Sequence, residues 1–162
     1  WGIIGLGAIG RRVAEIARAF GAKVIYYSAS GAPAQEGYEQ VDFETLLTQS
    51  DIISVHAPLN EHTEGLINSK AFEKMKSSCI FLNLGRGPIV DEQALYNALV
   101  RNQIAAAGLD VLCEEPMSAD NPLLKIKDSK HLLITPHIAW ASVEARTHLM
   151  EIIHGQVKDF FA

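Results

Sequence analysis

The sequence predicts an α/β fold with a doubly wound, parallel sheet in a single domain. Three observations carry this. Short apolar runs alternate with stretches of helical periodicity along the whole chain. The runs are nearly continuous in apolar residues, as strands covered on both faces are, rather than alternating apolar with polar. A glycine-rich turn, Gly5-Leu6-Gly7-Ala8-Ile9-Gly10, stands directly between the first run and the first helical stretch.

Taken in order, the predicted strands are Trp1–Leu6, Lys23–Tyr27, Asp51–His56, Cys79–Leu84, Ile104–Val111 and Leu132–Thr135. Predicted helices fall between and after them, at Ile9–Phe20, Phe43–Gln49, Asn68–Met75, Glu92–Asn102 and Ser142–Phe161. In the first helix Val13, Ile16, Ala17 and Phe20 form an apolar stripe expected to face the sheet. Gly21 follows it as the glycine that ends a helix. Asp91 is placed to cap the fourth helix, whose Ala94, Leu95 and Leu99 point inward. Strand–helix alternation of this kind implies right-handed crossovers on both faces of the sheet. Ser28–Gln40, with its Gly, Pro and Ser, reads as a surface loop. Cys113–Lys130, carrying Pro116 and Pro122, reads as a longer irregular excursion near the strand ends.

The glycine turn is the first feature that points to chemistry. In a G-x-G-x-x-G between strand and helix, the first glycine permits the tight turn and the second lets backbone approach a pyrophosphate. The third lets helix and strand pack closely. The free N–H groups at the helix start then face the phosphates. Gly5, Gly7, Ala8, Ile9 and Gly10 are therefore candidate cofactor contacts in a Rossmann-type dinucleotide site. Such folds usually carry an acidic residue at the end of the second strand to hold the ribose hydroxyls. Here the position is Ser28, which leaves room for a 2′-phosphate, yet no Arg or Lys follows in residues 29–35 to pair with one. NAD and NADP both stay open as the cofactor.

Ligands of open parallel sheets bind outside the carboxyl ends of the strands. Three residues able to do acid–base or anion chemistry fall at such ends: Arg86, Glu115 and His137. Alone, each has a plain reading as a surface charge, a solvated acid or a loop histidine. Together they match what hydride transfer to a 2-keto acid requires. A guanidinium holds the substrate carboxylate, an imidazolium supplies the proton as charge develops on oxygen, and a carboxylate orients that imidazole and favours its charged form.

The bulk composition narrows the rest. Hydrophobic residues make up 48% and charged residues 20% of 162 positions, and the formal charge is −5. That balance offers no electrostatic footprint for nucleic acid or an anionic membrane. No run approaches the roughly 18 apolar residues of a transmembrane helix. Cys79 and Cys113 have no zinc-type spacing, which argues against a metal-dependent alcohol dehydrogenase. Two thiols make no disulfide framework, so a reducing cytoplasm is expected. The opening at Trp1-Gly2-Ile3-Ile4 already reads as a core strand, so the chain is expected to be one dinucleotide-binding domain, residues 1–162, excised from a longer protein.

At these residues the sequence resembles the D-isomer-specific 2-hydroxyacid dehydrogenase family. The segments that carry the likeness are Gly5–Gly10; His56-Ala57-Pro58-Leu59 with Thr63; Asn83-Leu84-Gly85-Arg86-Gly87 with Val90-Asp91; Gly108-Leu109-Asp110-Val111 with Glu115-Pro116; and Thr135-Pro136-His137-Ile138-Ala139. The resemblance implies that Arg86 binds substrate, that His137 is the acid/base and that Glu115 is its partner. It implies that Asp110 contacts the nicotinamide amide. It also implies that His56, Ala57, Pro58, Thr63, Leu84, Gly85 and Ala139 line the cofactor along with Arg86 and His137, the His56 imidazole being mainly structural. Asp120-Asn121-Pro122-Leu123-Leu124 and His137-Ile138-Ala139-Trp140-Ala141-Ser142 are similar to hydroxypyruvate (glycerate) and glyoxylate reductases. That implies a small 2-keto acid substrate, a homodimer in the full-length protein and a substrate domain outside this chain. The rival reading is a dinucleotide-sensing, co-repressor-like scaffold related to the same family. A formate dehydrogenase is disfavoured, since that branch carries Gln where Glu115 stands.

Overall fold

The computed structural model describes residues 1–161. Its strands are β1 (Gly2–Ile4), β2 (Ile25–Tyr27), β3 (Glu39–Gln40), β4 (Ile52–Val55), β5 (Ile80–Asn83), β6 (Ala106–Leu109) and β7 (Leu132–Ile134). Its helices are α1 (Ala8–Ala19), α2 (Phe43–Gln49), α3 (Ser69–Lys74), α4 (Glu92–Val100) and α5 (Val143–Phe160), with 3₁₀ turns at Gly87–Ile89 and Pro122–Lys125. The strands form one seven-stranded sheet in the order β3-β2-β1-β4-β5-β6-β7, and every pairing is parallel.

The predicted strands are all present but shorter than the apolar runs that announced them. Val24, Ile104 and Val111 are buried without belonging to a strand, because an apolar run marks burial rather than ladder pairing. β3 went unpredicted and lies inside the expected loop. It is two polar residues long and pairs only with β2, through Ile25–Glu39 and Tyr26–Gln40. An edge strand with one neighbour and little burial leaves no apolar signature.

Adjacent residues of β1 point to opposite sides and nucleate separate cores. Ile3 packs with Ala14, Ala17 and Tyr26 beneath α1. Ile4 joins Leu47, Ile53, Phe72, Phe81 and Leu95 beneath α2, α3 and α4. The α1 stripe is rotated from the one predicted. Gly10, Ala14 and Ala17 are its buried residues, with Val13 packed partly against them, whereas Ile16 is 51% and Phe20 88% exposed. Helix and strand approach too closely here for large side chains, so small residues take the buried face. Gly21 terminates α1 as expected, at φ +85°. Its N–H reaches Arg18 O and that of Ala22 reaches Ala17 O, the paired bonds of a Schellman ending. Asp91 caps α4 by accepting from the Ala94 N–H at 2.9 Å, and Ala94, Leu95 and Leu99 are buried as expected. Ser142 caps α5 in the same way, and no residue of that helix is buried.

Candidate active site

The chain runs from β1 outward to β2 and β3, then returns to the other side of β1 at β4. Between β1 and β4 the direction of winding reverses, so a crevice opens at their carboxyl ends. The glycine turn forms one wall. Gly5 sits at φ +92°, and a side chain there would meet the Ala57 nitrogen at 2.7 Å. A Cβ on Gly10 would stand 2.1 Å from Gly5 O. Both glycines are therefore fixed by the fold itself.

Gly7 is different. It is exposed, and a Cβ there would meet nothing within 4 Å. No side chain caps the start of α1, so Ala8 and Ile9, both exposed, present the helix's first N–H groups to the crevice. This combination suits a pyrophosphate. The space beyond, about 470 Å³, is lined by Ile9, His56, Ala57, Pro58, Leu84, Gly85 and Arg86 among others.

Several side chains shape these walls, among them Gln35 and Asn83, whose holding roles the sequence did not reveal. Gln35 donates from Nε2 to Leu6 O at 2.9 Å and so braces the glycine turn from the loop after β2. Asn83, buried, accepts from the Gly85 N–H at 3.1 Å and donates to Arg86 O at 3.0 Å, which folds the turn that presents Arg86. A buried Asn in an apolar strand was the available signal. Thr63 is 1% exposed. Its hydroxyl donates to Pro58 O at 2.7 Å and accepts from the Asn60 N–H at 2.9 Å. It holds the loop after β4 from within. The two ring nitrogens of His56 are buried and unpaired among the described residues, and burial holds that imidazole below its ordinary pKa, in the neutral form. Ser28 ends β2 half-buried, with its hydroxyl 3.2 Å from that of Ser30.

Further along the same rim, Arg86 follows β5, Glu115 follows β6 and His137 follows β7, three adjacent strands. His137 Nδ1 lies 2.8 Å from Glu115 Oε2. The other carboxylate oxygen, Oε1, accepts the Leu112 N–H at 2.9 Å. That backbone bond first, and the histidine second, hold the Glu115 carboxyl below its ordinary pKa. Arg86 is exposed and donates to Gly85 O at 2.8 Å. It lines the same crevice, where the loops after β4 and β5 meet α1, while Glu115 and His137 border a separate cleft of about 820 Å³ against β7. Glu115 and His137 thus make direct contact, and Arg86 shares their rim, following the strand next to Glu115's and two from His137's.

Asp110, 6% exposed, spends its carboxylate on the loop that carries His137. Oδ1 accepts from the Thr135 hydroxyl at 2.5 Å and the Ile138 N–H at 2.9 Å, and Oδ2 from the Ala139 N–H at 2.8 Å. Burial alone would raise its pKa, but these donors outweigh it and the net shift is downward. One acceptor position on Oδ2 is unused among the described residues. Trp140 closes the turn, donating from its indole to His137 O at 2.7 Å.

An all-parallel sheet that reverses at a glycine turn, with an uncapped helix start facing the crevice, defines a dinucleotide-binding domain. The model for the "D-isomer specific 2-hydroxyacid dehydrogenase, NAD binding domain" family matches residues 1–139, and the chain belongs to that family. It is 46% identical over 161 residues to a hydroxypyruvate reductase of Blautia hydrogenotrophica, covering 98% of this chain and 49% of that protein. It is 43% identical to a glycerate dehydrogenase of Methylorubrum extorquens, covering 99% and 49%. Among solved structures it resembles an acyclic imino acid reductase in complex with NADPH and D-Arg, with TM-score 0.89, 40% identity and coverage of 99% and 50%. It also resembles the Aquifex aeolicus D-lactate dehydrogenase complexed with NAD and lactic acid, with TM-score 0.89, 32% identity and coverage of 99% and 52%. The chain therefore spans about half the length of the relatives it matches. Among the described residues no helix is long and apolar enough to cross a membrane.

Proposed function

We propose that the protein to which this chain belongs is an oxidoreductase that interconverts a small 2-keto acid and its D-2-hydroxy acid, with hydroxypyruvate or glyoxylate the first candidates. The observation that carries this reading is the 2.8 Å contact between His137 Nδ1 and Glu115 Oε2 at the rim where the strands end. A nicotinamide dinucleotide, when bound, supplies or accepts the hydride. The residues present fit such a group: open space over Gly7, an uncapped helix start and a crevice lined by the His56–Pro58 segment and by Leu84 and Gly85.

In this reading His137 delivers a proton from Nε2 to the keto oxygen as the carbonyl carbon is reduced, and recovers it in the reverse direction. Glu115 holds Nδ1 and so orients the ring with Nε2 free. Arg86 pairs with the substrate carboxylate, for which a guanidinium has matching bidentate geometry. Asp110 offers its remaining acceptor position to the carboxamide. Ser28 removes the usual carboxylate at the end of β2, so NAD and NADP both fit. The remaining half of the protein supplies the substrate domain, so residues 1–162 alone bind dinucleotide weakly and turn over little. A homodimer belongs to the same reading and rests on the family resemblance, and a cytoplasmic setting rests on the two free thiols.

Steady-state kinetics of the full-length protein with NADH and NADPH, against a panel of 2-keto acids, test this. Efficient reduction of hydroxypyruvate or glyoxylate is expected. Dinucleotide binding without turnover on any member of the panel would favour the sensing scaffold instead.

A further inference from the structure

We propose that Thr135 is a positioning residue for the acid/base step, acting through a clamp in which its hydroxyl and the Asp110 carboxylate set the backbone that carries His137. The inference rests on the functional reading above.

His137 occupies the left-handed region at φ +52°, a conformation uncommon for residues with a β-carbon, though histidine is among those that adopt it more readily. Its N–H folds back to Thr135 O at 3.0 Å, so residues 135–137 form a tight turn. Asp110 grips that turn on both sides of the histidine. The Thr135 hydroxyl reaches it from before, at 2.5 Å, and the Ile138 and Ala139 N–H groups from after, at 2.9 and 2.8 Å. Asp110 is itself buried at the end of β6, and the Thr135 N–H bonds to Leu109 O at 2.9 Å. The turn is thus bolted to the sheet rather than suspended from β7.

Glu115 fixes the ring and the clamp fixes the backbone. An imidazole held only at Nδ1 could still swing about that contact, and a displacement of about 1 Å at a catalytic group costs on the order of a hundredfold in rate. A threonine placed only to fill space could be valine, which has nearly the same shape. The hydroxyl is what distinguishes the two, and here it donates directly to the buried carboxylate.

The test compares Thr135→Val and Thr135→Ser in the full-length protein, read by steady-state kinetics and by amide hydrogen exchange at Ile138 and Ala139. Thr135→Val is expected to lower kcat by about tenfold or more while leaving the dinucleotide KM within about twofold, and to speed exchange at both amides. Thr135→Ser keeps the hydroxyl and is expected to restore both. Unchanged kcat in Thr135→Val, an equal loss in Thr135→Ser, or a loss confined to the dinucleotide KM would overturn the clamp. Should Thr135→Val destabilise the protein generally, exchange at Ile138 and Ala139 is compared with that in β4. Selective loosening upholds the proposal and uniform loosening overturns it. If the native protein reduces no 2-keto acid, the functional reading fails, and the exchange comparison still judges the clamp.

Discussion

Nδ1 of His137 and Oε2 of Glu115 lie 2.8 Å apart across 22 residues of sequence. Their loops follow neighbouring strands, β6 and β7, and meet because the Asp110 carboxylate ties the second loop to the end of the first strand. With Nδ1 engaged, Nε2 is the nitrogen left to exchange a proton with substrate. Replacing His137 by Asn is expected to lower kcat by about 10²–10⁴-fold and to leave NADH affinity nearly intact. Stopped-flow turnover and fluorescence titration measure the two quantities separately. Survival of turnover would remove His137 from the proton transfer.

The glycine turn separates what folding needs from what a ligand needs. Alanine at position 10 would press its Cβ against Gly5 O at 2.1 Å. That overpacking is expected to cost about 1–3 kcal/mol or more, a fall of several degrees in melting temperature. Alanine at position 7 meets nothing, so its melting temperature should stay within about a degree of native, since surface substitutions away from structural features shift stability little. Dinucleotide affinity should nonetheless fall, because the new methyl occupies the approach to α1. Calorimetry paired with NADH titration distinguishes the two variants. Equal affinity in Gly7→Ala and the native protein would place the pyrophosphate elsewhere.

Cofactor choice is expected to turn on Ser28. An aspartate there introduces a charge that repels a 2′-phosphate and can accept from ribose hydroxyls. The kcat/KM ratio of NADPH to NADH in Ser28→Asp should therefore fall by about tenfold or more, the equivalent of about 1.4 kcal/mol. An unchanged ratio would exclude Ser28 from selectivity.

Much of the fold was legible because its main strands are apolar nearly throughout, and the central β1 and β4 are buried on both faces. Continuous runs such as Ile52-Ile53-Ser54-Val55 then announce themselves, and the strand–turn–helix around Gly5–Gly10 fixes the switch point. β3 was not legible, since Glu39-Gln40 are held by backbone pairing at an edge. The phase of α1 was misread because a large-side-chain stripe was assumed where close packing selects Gly10 and Ala14. In the site, residue types that carry chemistry at strand ends pointed to Arg86, Glu115 and His137. The residues that hold the loops, Gln35, Asn83 and Thr135, were missed. Gln35 and Thr135 each act through one side-chain hydrogen bond to a residue far away in sequence, which nothing local reports, whereas Asn83 bonds to Gly85 and Arg86 close by, and a polar residue ending an apolar run was its only signal.

The same bonds should appear in the acid limb of stability. The Asp110 carboxyl is held below its ordinary pKa in the fold by Thr135, Ile138 and Ala139 against the opposing effect of burial. A group depressed on folding stabilises the protein above its unfolded pKa, about 3.9 for aspartate, and that stability is lost as pH falls through the lower folded value. Glu115 has the same sign. The melting temperature is therefore expected to change little on these groups' account between pH 7 and 5 and to fall below about pH 4. In Asp110→Asn the side chain does not ionise, and its amide nitrogen sets a donor against one of the backbone N–H groups that Asp110 now accepts. The variant should melt earlier than native at pH 7, with a smaller further drop between pH 5 and 3, the residual slope including the share due to Glu115. Scanning calorimetry across that range measures both. Parallel curves for native and variant would mean that the Asp110 carboxylate contributes nothing through its charge.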